Sequence, residues 1–84
     1  MSLIHIGKSG NKRVFITPYC LRRFKQRNLG PKEVLHMLEH RHVAYPIDED
    51  GRQKIRVTLS GGKKAFLTIF EDSKKILVIT GGEA

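Results

Sequence analysis

"QKIRVTLSGGKKAFLTIFEDSKKILVIT", residues 53–80, reads as three strands in close succession. In the first run Ile55, Val57 and Leu59 alternate with Lys54, Arg56 and Thr58, the period-two pattern of a strand with one apolar and one polar face. "KAFLTIF" is apolar on both faces, as a central strand is. "KILVIT" is rich in β-branched residues. "SGG" and "EDSK" are turn sequences, and connections this short make neighbouring strands antiparallel. Upstream, "VAYPI" at residues 43–47 adds a fourth run, and its Pro46 puts it at a sheet edge or a bulge. The intervening "DEDG" offers Asp48, Glu49 and Asp50 as a metal loop, but a hairpin turn is the more economical reading.

The period changes N-terminal to this block. Thr17-Pro18 supplies an N-cap followed by proline at the first helical position, and the helix so begun runs to Arg27 or Asn28, where "NLGP" stops it. Gly30-Pro31 opens a second helix, with Glu33 in its first turn and an apolar stripe of Val34, Leu35 and Leu38 in the arc of Pro31. "KRVFIT" at residues 12–17 is a further β-prone run that pairs with "LIHI" at residues 3–6. The expected fold is α+β: a single domain over residues 1–84, with two helices packed on one face of a four- to five-stranded antiparallel meander.

Eighty-four residues make one domain with a modest core, too small to enclose a deep cofactor cleft. A hydrophobic fraction of 39% and a charged fraction of 29% are those of a soluble globule. No apolar run approaches the roughly 18 residues that span a bilayer, and "MSLIHIGKSG" lacks the apolar core of a signal peptide. The single cysteine, Cys20, forms no intrachain disulfide, so a reducing cytoplasm is the default location. The net charge of +8 is segregated: Lys8, Lys12, Arg13, Arg22, Arg23, Lys25, Arg27 and Lys32 precede the first acidic residue, Glu33, and from there on the charges cancel. A field this one-sided suits a polyanion such as RNA or DNA, or an acidic protein.

His36-Met37-Leu38-Glu39-His40 matches the inverted zinc-protease signature H-x-x-E-H. A catalytic zinc needs a third protein ligand, whereas the residues beyond His42 read as strands, and both histidines fall opposite the Val34/Leu38 stripe. The protease reading therefore fails, and no metal and no cofactor are assigned.

The first helix carries a sharper pattern. Tyr19, Arg23 and Arg27 recur every four residues along one face, while Cys20, Leu21 and Phe24 occupy the arc facing the sheet. Two guanidiniums on adjacent turns repel unless both reach one anion or acidic side chains neutralise them, and Glu33 and Glu39 on the second helix are the available carboxylates. Arg22 and Lys25 point elsewhere, as solvated surface or backbone-phosphate contacts. The Lys54/Arg56 strand face beside such a helix would extend one phosphate-binding surface. Tyr19, Tyr45 and four phenylalanines are little material for base stacking, and most of the phenylalanines are expected in the core.

The segment "TPYCLRRFKQRNLGPKEVLHMLEH" resembles a family of small bacterial and phage domains whose helical part reads T-x-H-A-x-x-R-x-x-x-R-x-[IL]-x-x-x-x-V-x-x-x-[IL]; Thr17, Arg23, Arg27, Leu29, Val34 and Leu38 occupy matching positions. The strand block that follows looks more loosely like that of RelE- and BrnT-type toxin ribonucleases. The resemblance implies a RelE-like sheet preceded by two helices, metal-independent action on RNA, and an acidic antitoxin-like partner. Tyr19 stands where the family pattern has histidine, and "ITGGEA" ends the chain without the C-terminal Arg, His or Tyr of RelE-like toxins. The expected function is RNA binding through the Tyr19/Arg23/Arg27 helix face and the Lys54/Arg56 strand face, with Lys12, Arg13, Arg22 and Lys25 as further contacts. An endoribonuclease of this type would place Tyr19, Arg23 and Arg56 at the reacting phosphate. The alternatives are a non-catalytic nucleic-acid-binding module and a protein-interaction domain docking an acidic partner. His5, His42 and Tyr45 are unplaced candidates.

Overall fold

A computed structural model of the chain describes residues 2–83. Along the chain come β1 (Ile4–Ser9), β2 (Lys12–Ile16), α1 (Pro18–Gln26), α2 (Pro31–Glu39), β3 (Arg41–Ala44), β4 (Arg52–Thr58), β5 (Lys64–Glu71) and β6 (Lys75–Glu83). The strands form one sheet in the order β1-β2-β6-β5-β4-β3. Among the described residues, no helix is long and apolar enough to cross a membrane.

The α+β class stands, but the sheet is larger than a four- to five-stranded antiparallel meander. It has six strands and is mixed. β3 to β6 do form an antiparallel run, and β1 and β2 form the expected hairpin. That hairpin then joins the free side of β6, with β2 running parallel to it from Arg13↔Lys75 to Ile16↔Val78. A parallel pair needs a long crossover, and here the crossover contains both helices and three strands.

The helix ends follow their local chemistry. The Thr17 side chain accepts a hydrogen bond from the Cys20 N–H at 3.2 Å, and Pro18 follows it, a cap worth about 1 kcal/mol. At the other end Asn28 takes φ 60, the Asn28 N–H donates to the Lys25 carbonyl and the Leu29 N–H to the Phe24 carbonyl. This is a Schellman closure with asparagine at the left-handed position. α2 starts at Gly30 without a side-chain cap. Its Glu33 instead accepts from the Ser60 N–H at 3.0 Å and from the Ser60 hydroxyl, tying the helix to the β4–β5 turn. The turns are closed by aspartates: Asp48 accepts from the Asp50 and Arg52 N–H groups, Asp72 from those of Lys74 and Lys75.

Both helices lie on one face of the sheet. Val14, Ile16, Ile55, Val57, Leu67, Ile69, Ile76 and Val78 point to that face and are at most 1% exposed. Cys20, Leu21 and Phe24 of α1 meet them as read from the sequence, and so do Val34 and Leu38 of α2. Met37 is buried as well, where the sequence stripe placed Leu35, which is half-buried. Each such side chain contributes roughly 1.5–3 kcal/mol by leaving water.

Two glycines let the helices approach. A Cβ on Gly81 of β6 would stand 2.5 Å from Phe24 Cζ and 2.8 Å from Phe24 Cε1. A Cβ on Gly7 of β1 would meet Leu35 Cδ1 at 2.7 Å, and Gly7 holds φ +148 beside the bulge that interrupts the β1–β2 register. Substituting Gly81→Ala should destabilise the fold by about 1–3 kcal/mol through overpacking against the buried Phe24 ring. Urea denaturation checks this, and the double variant Gly81→Ala/Phe24→Leu should recover part of the loss if that contact is the cause.

Candidate nucleic-acid interface

α1 presents Tyr19, Arg23 and Arg27 along one outward face. Arg23 Nη1 donates to the Tyr19 hydroxyl at 3.0 Å, and the guanidinium carbon lies 5.8 Å from the ring centroid. With Thr80 and Gly81 of β6 the three residues line a cleft of about 100 Å³. Neither arginine forms an ion pair among the described residues. Glu33 is held by Ser60, whose hydrogen bonds keep its carboxyl below the usual range. The cleft thus combines a phenol with two guanidiniums, a set suited to an anion. Cys20 at its floor is buried, which pushes its thiol up to about 11 and leaves no thiolate nucleophile at neutral pH. Arg22 and Lys25 are exposed beside Pro18, Leu21 and Gln26, away from the cleft.

A second basic surface lies on the opposite face of the sheet, which no helix covers. Since Ile55 and Val57 point to the helices, Lys54, Arg56 and Thr58 point away. The strand register builds rows across this face. Lys8, Arg13 and Lys75 stand side by side on β1, β2 and β6. Next come His5, Phe15, Leu77, Phe70 and Arg52. Thr80, Thr68 and Lys54 follow, then Gly82, Phe66, Arg56 and Val43. Like charges directly opposite one another across strands are destabilising, so the Lys8–Arg13–Lys75 row favours a bound anion. A shallow groove of about 550 Å³ lies over it, lined also by Asn11, Phe15, Ser73 and Lys74.

This placement corrects two expectations. Arg56 is separated from Tyr19 and Arg23 by the thickness of the sheet, so the three do not share one phosphate, and the helix and strand faces are two surfaces rather than one. The phenylalanines are also not mostly core: Phe24 alone is buried, while Phe15, Phe66 and Phe70 are half-buried on the uncovered face. Lys54 Nζ stands 4.3 Å above the Phe66 ring, and the Tyr45 ring lies 6.3 Å from it. Arg13 belongs to this surface as read from the sequence. Lys8, Lys74 and Lys75 belong to it too, and no local pattern announced them, because their neighbours are far away in the chain.

Lys12 takes a different place. It projects on the helix side and binds Glu71 Oε2 at 3.0 Å, while Arg41 binds Glu71 Oε1 at 2.9 Å and donates from Nε to the Leu38 carbonyl at 3.0 Å. The pair of cations pins the end of α2 to β5 and β2. Burial pushes the Glu71 carboxyl up, but the hydrogen bonds from Arg41 and Lys12 outweigh it and hold the group below its ordinary value.

His42 is the extra residue of the β3–β4 bulge and meets the Thr58 hydroxyl, with Lys64 Nζ 3.4 Å from His42 Nε2 and 2.9 Å from Thr58 Oγ1. His5 packs beside Phe15, ring centroids 5.2 Å apart. The rings of His36 and His40 lie 4.2 Å apart on α2 and its cap. Among the described residues no group of three or more His, Cys, Asp or Glu side chains is arranged to hold a metal ion.

No family model, no curated protein and no solved structure matches this chain.

Glu71 makes stability depend on pH. A carboxylate whose pKa is depressed by folding stabilises fully above its unfolded value, near 4.3, and that contribution is lost as pH falls through the folded value. Glu71→Gln should cost about 1 kcal/mol at pH 7, a partly exposed ion pair being worth no more, and should flatten part of the decline in acid. Thermal melts of both proteins between pH 7 and pH 3 test this; parallel curves would remove Glu71 from the account.

Proposed function

We propose that this chain is an RNA-binding domain. The observation that carries the reading is the distribution of unneutralised cations. Of sixteen lysines and arginines, only Lys12 and Arg41 form ion pairs among the described residues. Others stand next to one another, as Lys8, Arg13 and Lys75 do across three strands and Arg23 and Arg27 do on successive helical turns. Repulsion within each group is relieved when a polyanion lies across it. Phosphates of one RNA chain meet this need on both surfaces, with Lys54, Arg56, Arg22 and Lys25 as flanking contacts.

Kinship with RelE-type toxin ribonucleases is part of the same proposal. Two helices preceding the antiparallel run β3 to β6 agree with it. A second reading, metal-independent cleavage, is favoured by the Tyr19 hydroxyl held 3.0 Å from Arg23. In that reaction the 2′-hydroxyl attacks the adjacent phosphorus, giving a 2′,3′-cyclic phosphate and a free 5′-hydroxyl. Arg23 and Arg27 would stabilise the phosphorane and Tyr19 would protonate the departing oxygen. The cleft lining offers no histidine or carboxylate as base for the 2′-hydroxyl, so binding is the better-supported activity. An acidic antitoxin-like protein would compete for the same cations.

Binding should weaken steeply with salt, log affinity falling by roughly 0.7 per phosphate contact for each unit of log salt. Arg13→Ala, Lys75→Ala and Arg23→Ala should each lower that slope by about 0.7. Fluorescence anisotropy with labelled RNA at several salt concentrations reads both. No binding at low salt would refute the proposal and leave the acidic-protein reading. RNA incubated with the protein in EDTA should stay intact and be retarded on a native gel; fragments that vanish with Arg23→Ala would instead establish cleavage.

A further inference from the structure

We infer that the uncovered face of the sheet is a stacking platform for single-stranded RNA, on which bases lie against Phe15, Phe66 and Phe70 while the surrounding cations hold the phosphates. The inference rests on the RNA-binding reading and adds the form of RNA and the means of contact.

Its basis is the interleaving of ring and charge. Phe15 and Phe70 flank Leu77 in one row, a span of about 9–10 Å across two strand spacings. Phe66 lies four residues from Phe70 on the same face of β5, about 13–14 Å away. The three rings therefore mark an L, across the sheet from β2 to β5 and then along β5. Lys8, Arg13 and Lys75 stand at its start and Lys54 and Arg56 at its end. Each phenylalanine is partly exposed on a face without a covering layer. Tyr45, 40% exposed, extends the platform beside Phe66.

Lys54 shows how the site is kept ready. Its ammonium rests 4.3 Å over the Phe66 ring, a cation–π contact that occupies the ring face in the absence of a base. A base on Phe66 displaces the lysine, whose flexible stem lets it reach the adjoining phosphate.

Two other occupants fit less well. A second copy of the chain would bring the Lys8–Arg13–Lys75 row and Lys54/Arg56 against like charges. Duplex RNA keeps its bases paired and stacked within the helix, so it offers phosphates but no free base faces to the rings.

The test is anisotropy titration of a short labelled oligouridine and of a duplex of equal length against the wild type and the variants Phe66→Ala, Phe15→Ala and Phe66→Leu. Stacking on one ring is worth roughly 5- to 150-fold in affinity by alanine substitution. The single strand should therefore bind more tightly than the duplex. Each alanine variant should lose affinity in that range with its salt slope unchanged. Phe66→Leu, which keeps the apolar bulk and the fold, should lose nearly as much as Phe66→Ala. Single-strand affinity untouched by all three variants, or duplex bound at least as well, would overturn the platform while leaving RNA binding in place. Absence of any binding by the wild type at low salt would remove both. A concentration-dependent dimer that Phe66→Ala dissociates would assign the face to self-association and likewise overturn the inference.

Discussion

The parallel pairing of β2 with β6 is the constraint on which the rest of the structure depends. The chain leaves the sheet at the end of β2, next to β6, and re-enters it at β3, the opposite edge. Whatever connects those points must cross β6, β5 and β4 over one face. α1 and α2 are that connection, so one face is covered and the other is left bare. The same four residue pairs set Val14 and Ile16 beside Ile76 and Val78 in the core, and Arg13 and Phe15 beside Lys75 and Leu77 on the bare side. Core and candidate interface are two sides of one ladder.

The helices fit over that ladder because the strands below them carry no side chain at two points. Phe24 sits on Gly81 and Leu35 on Gly7, so α1 is seated over β6 and α2 over β1. The seating in turn aims Tyr19, Arg23 and Arg27 outward beside Thr80 and Gly81 of β6, where their cleft opens. Glu71 fastens the opposite end by taking Lys12 and Arg41 together. It does so with two of the sixteen cations, and those on the α1 face and the bare face remain without carboxylate partners among the described residues.

Local chemistry was legible in the sequence and long-range pairing was not. Thr17-Pro18, "NLGP" and Gly30-Pro31 mark helix ends that the structure keeps, because capping and stopping depend on residues a few positions apart. The alternation of residues 54–59 correctly divides Ile55 and Val57 from Lys54 and Arg56 for the same reason. Nothing local in "KRVFIT" says that its neighbour is "KILVIT", so the joining of the β1–β2 hairpin to β6, the mixed topology and the Lys8–Arg13–Lys75 row were out of reach. "KAFLTIF" shows a subtler limit. It is central, between β4 and β6, but its second apolar face is made of Phe66 and Phe70, which a bare sheet surface accommodates as well as a buried one. Apolarity marks what can be buried, and only the path of α1 and α2 decides which side is.

The order of the strands also bears on how the domain is made. Arg13 and Lys75 pair across roughly sixty residues, so closing that contact carries a large loop entropy and raises the contact order. β3 to β6 can assemble by successive hairpins, each between near neighbours in the chain. The β1–β2 hairpin is marginal by itself and gains its third strand only when β6 exists. During synthesis β1 and β2 emerge before β6 and are thus among the last strands to find their place, and they bring Lys8, Lys12 and Arg13 with them. Until β6 emerges Arg13 has no Lys75 beside it, so sheet closure is the step that assembles the Lys8–Arg13–Lys75 row and brings Lys12 to Glu71.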